Sequence, residues 1–198
     1  MPQEKEELFQ NKYRIRSYRH QVWDYGDYGW YYVTICTKNR KIFFGNVETH
    51  CNASLHQKPK MILSPIGEII KQCWLETPII RKNILLDEFI IMPNHVHGII
   101  IIEYKINVNV ETHCNASLRQ GCQNKFGPQS NNLSAIIRGF KGMAAKIINN
   151  KFSRINFLWQ PGFHDRIIRN EIELNRIRNY IINNPLKWEI DRNNSKLI

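Results

Sequence analysis

Residues 84–103 read ILLDEFIIMPNHVHGIIIIE. Two apolar, β-branched runs flank Pro93-Asn94, a dipeptide that favours a tight turn. The stretch predicts a hairpin, with one strand over 84–92 and the next over 95–103. Working outward, WYYVTICT at 30–37 is rich in aromatic and β-branched residues and predicts another strand. Ile66, Ile69, Ile70, Cys73 and Trp74 recur at helical spacing, so a helix is expected from Ser64 to about Ile80. Ser64 is placed to cap it, with Pro65 at the first helical position. LSAIIRGFKGMAAKIINN at 133–150 is an amphipathic basic helix, and a short strand is expected over 164–168. EIELNRIRNYIINN at 171–184 is a final helix, stopped by Pro185.

The element order is therefore strand, helix, strand, strand, helix, strand, helix. This predicts an α+β fold, a ferredoxin-like βαββαβ antiparallel sheet plus an additional C-terminal helix that carries Tyr180. Helices are expected on one face of the sheet, leaving the other for partners or an active site. Residues 1–28 read as a polar, basic arm, residues 29–190 as one catalytic domain, and residues 191–198 as a tail. Residues 38–61 and 104–131 read as loops, with insertions around 45–60 and within 104–131.

Lys and Arg total 28 against 17 Asp and Glu, giving a net charge of +11 and a pI near 9.6. Such a balance suits a phosphate-rich partner, because Lys and Arg displace counterions from nucleic acid. The longest apolar stretch, Phe89 to Ile102, is interrupted by Pro93, Asn94, His95 and His97 and is too short to span a bilayer. No membrane role is expected. The first ten residues, MPQEKEELFQ, carry no apolar signal core. Five cysteines with no CxxC pair point to a reduced compartment, so a cytoplasmic, nucleoid-associated protein of prokaryotic type is expected.

The residues able to do chemistry fall in three places. His95 and His97 alternate with Val96 on a strand, so both imidazoles face one side while Val96 faces the core. Such a pair suits a divalent ion, and with oxygen ligands and water it suits Mg²⁺ or Mn²⁺. An isolated His-x-His is by default two packed histidines; here the pair follows a turn, where functional groups concentrate. On the last helix, Arg176, Tyr180 and Asn184 are spaced i, i+4, i+8 and share a face, with Ile177, Ile181 and Ile182 expected in the core. Tyr180 then reads as a presented phenol and Asn184 as a neutral oxygen ligand, with Arg176 and Arg178 placed to hold phosphate, although the helix by itself favours an ordinary half-buried tyrosine. The third place is basic surface: Arg138, Lys141 and Lys146 on the 133–150 helix, and Arg154, His164, Arg166 and Arg169 around the last strand. With Trp23, Tyr25, Tyr28 and Trp30, these supply the cations and stacking rings that single-stranded nucleic acid needs.

The combination of WYYVTICTKNRKIFFG, LLDEFIIMPNHVHGIIII and LWQPGFHDRIIRNEIELNRIRNYIINNPLKW resembles the single-tyrosine HUH transposases, in particular the REP-associated tyrosine transposases. The resemblance spans residues 12–190 apart from two loops. It implies that His95, His97 and Asn184 bind the metal and that Tyr180 is the nucleophile. It implies a substrate of single-stranded DNA with hairpin or palindromic repeats, cut and rejoined through a 5′-phosphotyrosine. His164, Asp165 and Arg166 match a recurrent segment to which no role is assigned. Related transposases act as homodimers, whereas the branch resembled here is often monomeric, so both states stay open. Two alternatives also stay open: a hairpin-binding protein without chemistry, and a metal-dependent nuclease that uses water.

One feature lies outside this scheme. VETHCNASL occurs at 47–55 and again at 110–118, both in expected loops. A zinc site from His50, Cys51, His113 and Cys114 is disfavoured, because adjacent His-Cys pairs chelate poorly. The duplication reads as a repetitive element translated twice, which loops tolerate because longer closure costs little entropy. Deleting both copies is expected to leave DNA nicking intact in a gel assay; loss of nicking in a folded deletion variant would refute the filler reading.

Overall fold

The computed structural model describes residues 28–48, 59–103, 132–191 and 193–194. Its elements are β1 (Gly29–Cys36), β2 (Gly45–Glu48), β3 (Lys60–Leu63), α1 (Pro65–Leu75), α2 (Thr77–Ile80), β4 (Ile84–Met92), β5 (His95–Ile102), α3 (Leu133–Lys151), β6 (His164–Ile168) and α4 (Glu171–Ile182). A 3-10 turn covers Lys38–Arg40, and a 3-10 segment, Asn184–Ile190, follows α4. The expected arm with Trp23 and Tyr25, most of both VETHCNASL copies and the 104–131 loop lie outside the described residues.

The main sheet has the order β4-β5-β1-β6, and each neighbouring pair is antiparallel. With the small β2–β3 ribbon set aside, this is the split βαββαβ arrangement expected of an α+β chain. Central β1 carries the alternation that organises both faces. Tyr31, Val33 and Ile35 point into the larger core with Val96, Ile100 and Ile102 of β5, under Ile66, Ile70 and Trp74 of α1 and Ile136, Ile137, Phe140 and Ile148 of α3. Trp30 and Tyr32 face the other way, packing with Ile99 and Ile168 against Leu174, Ile177 and Ile181 of α4. The face expected to be left open is thus partly roofed by α4, opposite α1 and α3.

Two interactions fix α4. Burial of Leu174, Ile177 and Ile181 contributes about 1.5–3 kcal/mol for each fully buried side chain. Arg178 makes a two-pronged contact with Asp87, Nε to Oδ1 at 2.9 Å and Nη2 to Oδ2 at 2.5 Å. Both partners keep some solvent contact, so the ion pair is worth only about 0–1 kcal/mol. Apolar burial therefore holds the helix, and the ion pair sets its rotation. Asp87 reaches Arg178 because the β4–β5 register shifts between Leu86 and Phe89, an irregularity of the kind that re-aims a side chain.

The local readings hold with three differences. Ser64 caps α1, its Oγ accepting from Gly67 N–H at 3.1 Å with Pro65 in the first turn. The helix expected to Ile80 instead breaks after Leu75 and restarts as α2, because Pro78 has no N–H for the carbonyl of Trp74. Part of the expected 38–61 loop pairs as β2 and β3, strands too short to print a clear alternation. Finally, α4 ends at Ile182, so Asn184 is not on it, and Ile182, expected in the core, is 56% exposed.

Gly98 follows the histidine pair on β5 and faces the larger core, where Trp74 lies directly over it. A Cβ built there would fall 2.4 Å from Trp74 Cζ2. Gly98→Ala is expected to lower unfolding stability by about 1–3 kcal/mol, the usual cost of overpacking. Urea titration checks this, and an unchanged midpoint would mean that Trp74 does not pack there.

Candidate active site

Strand alternation turns His95 and His97 to the α4 face, where both are buried, at 0% and 2% exposure. Their Nε2 atoms stand 2.9 Å apart, with the rings at 74°. Nitrogens that share one ion, at metal–nitrogen distances of about 2.0–2.1 Å for zinc, have comparable separations.

Each ring is oriented by its other nitrogen. Asn94 Nδ2 donates to the carbonyls of Arg40 at 2.9 Å and Asn193 at 2.7 Å, which turns Asn94 Oδ1 toward His95 Nδ1 at 2.8 Å. An amide oxygen only accepts, so His95 Nδ1 carries a proton there and its Nε2 keeps its lone pair. Burial, with the charge of Arg40, pushes the His95 imidazole down to about 3. His95 is neutral at physiological pH, the form that binds metal. His97 Nδ1 meets Tyr32 Oη at 2.7 Å and Thr34 Oγ1 at 2.9 Å, side chains of the β1 strand paired with it.

The segment after α4 wraps the pair. Trp188 lies against the His95 ring, with centroids 6.0 Å apart. Asn184, at its start, is 1% exposed, and its Oδ1 has no hydrogen-bond partner among the described residues. Leaving a buried acceptor unpaired costs about 1–3 kcal/mol, a cost that a cation would relieve. Asp191, at its end, brings a carboxylate oxygen within 4.8 Å of the donor atoms of both histidines, so His95, His97 and Asp191 form a possible metal-binding group. Asn193 N–H donates to Asp191 Oδ1 at 2.7 Å, holding the carboxylate in place. The residues present therefore fit a divalent metal, with two imidazoles and hard oxygen donors.

Tyr180 stands beside this group. Its ring centroid is 5.4 Å from that of His97 and 6.2 Å from that of Tyr32, and the residue is 41% exposed. The fold thus brings together the tyrosine and the histidine pair, which are far apart in sequence.

The basic residues divide. Arg176 is exposed one turn before Tyr180. Arg166 and His164 project to the site's face, in register with Tyr32 and Thr34; Arg166 pairs with Glu173 at 2.6 Å, and Arg169 is exposed nearby. Arg178, read from sequence as a phosphate ligand, is held by Asp87 and lies 6.0 Å over the Trp30 ring. Arg138, Lys141 and Lys146 sit on α3, across the sheet from the histidines. Lys141 Nζ donates to the carbonyls of Gln160 at 2.6 Å and Gly162 at 2.8 Å, and burial lowers its pKa. It fastens the segment before β6.

Asp191 is the residue that sequence reasoning missed. It lies in the expected tail, at no informative spacing from the histidines, and only the fold of the 184–191 segment brings it to them. Among the described residues, no helix is long and apolar enough to cross a membrane.

No family model matches the chain. An uncharacterized protein of Haemophilus influenzae is 36% identical over 179 residues, covering 89% of this chain and 91% of that one. The two proteins belong to one family. Among solved structures, a REP-associated tyrosine transposase bound to a REP hairpin is similar, with a TM-score of 0.48 and 16% identity over 87% of this chain and 74% of that one. A Deinococcus radiodurans protein provisionally described as a transposase is also similar, with a TM-score of 0.40 and 16% identity over 84% of this chain and 97% of that one.

Proposed function

We propose that the chain is a single-tyrosine HUH transposase of the REP-associated kind, a metal-dependent endonuclease that nicks and rejoins single-stranded DNA beside hairpin-forming repeats. The observation that carries this reading is the juxtaposition of two facing imidazole nitrogens, 2.9 Å apart, with a partly exposed tyrosine ring 5.4 Å from His97. A packed histidine pair without chemistry has no need of a presented phenol beside it.

In this reading His95 and His97, with oxygen from Asn184 and Asp191, hold Mg²⁺ or Mn²⁺. When bound, the ion stabilises the negative charge that builds on a scissile phosphate. Tyr180 Oη attacks phosphorus in line, forming a tyrosine–phosphorus bond as the bond to the departing 3′-oxygen breaks. The phenolic proton passes to solvent, and the leaving oxygen takes up a proton to become a 3′-hydroxyl. The 5′-phosphotyrosine keeps the phosphodiester count unchanged, so a DNA 3′-hydroxyl can attack it and rejoin strands without ATP. Arg176, exposed one turn from Tyr180, is placed to steady a phosphate, and Arg166 and Arg169 extend the same basic face. Arg138, Lys141 and Lys146 lie across the sheet and have no part in this step. The catalytic unit is residues 29–190, extended by Asp191.

The test is an adduct assay with single-stranded hairpin oligonucleotides from the gene's own flanks and Mn²⁺ or Mg²⁺. An SDS-resistant protein–DNA band is expected, abolished by Tyr180→Phe and by chelator. Cleavage that survives Tyr180→Phe would assign a water-using nuclease, and binding with no cleavage would assign a hairpin-binding protein.

A further inference from the structure

We propose that a pocket beside the turn that carries His95, walled by residues 38–43 and 155–158, receives one unpaired base of the single-stranded DNA substrate, next to the cleavage site. The proposal rests on the transposase reading given above and concerns residues to which that reading assigns no role.

The position of the pocket follows from the backbone. β1 ends at Cys36, opposite His95, and the chain beyond it folds over the Pro93-Asn94 turn. Thr37 N–H donates to the Asn94 carbonyl at 2.9 Å, Phe43 N–H to the Pro93 carbonyl at 3.0 Å, and Asn94 Nδ2 to the Arg40 carbonyl at 2.9 Å. One wall is therefore tied to the two residues just before His95. The other wall is tied to the first and to α3. Lys38 N–H donates to the Leu158 carbonyl at 2.9 Å. The Asn149 side chain, on α3, donates to the Phe157 carbonyl at 3.0 Å and accepts from Phe157 N–H at 2.7 Å. Both walls are thus organised in advance, which lowers the cost of binding. The described non-glycine residues with positive φ all lie in these walls: Asn39 at 55°, Arg40 at 50° and Asn156 at 46°. Such backbone is uncommon outside glycine and gathers at ligand sites.

The pocket measures about 230 Å³. Sites for drug-sized ligands run from about 300 to 1,000 Å³, so the space suits one planar ring system rather than a whole nucleotide or a peptide. Phe43, Ile155 and Leu158 line it with apolar surface. Phe43 is braced edge-on by Phe157, with ring centroids 5.4 Å apart, while Ile155 and Leu158 are exposed and outside the core. Lys38, Lys41, Asn39 and Asn156 complete the lining, and no acidic residue joins them. An unpaired base brings a flat π-face, an edge with donors and acceptors side by side, and a phosphate on either side. Aromatic and apolar surface takes the face. A carboxamide, which both donates and accepts, takes the edge. Lysine takes the phosphates. A bare phosphate has no use for the apolar floor, and an apolar peptide has none for the lysines.

An abasic scan tests this. Hairpin oligonucleotides from the gene's own flanks are made with the bases of their unpaired strand removed one position at a time. Binding is read by fluorescence anisotropy in the Tyr180→Phe background, so that no strand is cut. One position is expected at which loss of the base weakens binding about 10-fold, the scale of a lost stacking or edge contact. In the Asn39→Asp, Asn156→Asp variant, which keeps the side-chain shapes and removes the donors, that penalty is expected to vanish. Wild-type protein irradiated with 5-iodouracil at the sensitive position is expected to cross-link through Phe43, a readout that needs no variant to fold. Penalties left unchanged by the two substitutions, or a cross-link confined to α4, would overturn the pocket assignment and leave the transposase reading standing. A base-specific penalty lost in the variant, in a protein that forms no Tyr180 adduct, would uphold the pocket and overturn the chemistry. Wild-type protein that binds none of these oligonucleotides would overturn both.

Discussion

Side-chain alternation along β5 is the constraint on which the rest of the structure depends. Val96, Ile100 and Ile102 enter the larger core, and Gly98 leaves room there for Trp74. The intervening residues, His95, His97 and Ile99, are thereby forced to the opposite face. A register slip by one residue would turn the histidines into the apolar core under α1 and α3 and carry Val96 and Gly98 away from it and from Trp74, so the packing of Val96 and Gly98 enforces the position of the histidines. Pairing with β1 then delivers Thr34 opposite His97, and pairing with β4 fixes the turn that carries Asn94.

The second face is completed by the C-terminal third of the chain. Apolar burial of Leu174, Ile177 and Ile181 seats α4, and the Asp87–Arg178 pair sets the angle at which Tyr180 meets His97. Beyond α4 the chain returns over the histidines, touching His95 through Trp188 and Asn94 through Asn193. Asn184 and Asp191 mark the two ends of that return. Buried polar groups are tolerated here because most of them are paired; Asn184 Oδ1 and Trp74 Nε1 are the buried side-chain atoms left without a partner among the described residues. Only the first belongs to the segment that wraps the histidines.

Much of this was legible in the sequence where the signal is local. The hairpin around Pro93-Asn94, the Ser64 cap, and the opposed directions of Val96 and the two histidines follow from turn chemistry and period-two alternation. Tyr180 was legible as a presented residue because it shares a helix face with Arg176, while Ile177 and Ile181 take the core side. Features set by distant pairing were not legible. Arg178 reads as a free cation until the β4 irregularity brings Asp87 to it, and Lys141 reads as a surface cation until two carbonyls close on it. Asn184 was expected on the face of a helix that in fact stops at Ile182. Asp191 carries no spacing signal, and that α4 lies across the sheet from α1 and α3 depends on packing that periodicity cannot report. Tyr32 and Thr34 were visible only as strand formers, since their hydroxyls gain meaning from the residue that faces them across the β1–β5 ladder.

The central claim is that His95 and His97 face each other in order to share a cation beside Tyr180. The most direct measurement is anomalous diffraction from crystals of the full chain soaked with Mn²⁺. The account predicts one strong anomalous peak in contact with Nε2 of both histidines and with oxygen from Asn184 or Asp191. Saturating Mn²⁺ that leaves no peak between the two rings, with the 2.9 Å nitrogen contact intact, would contradict it.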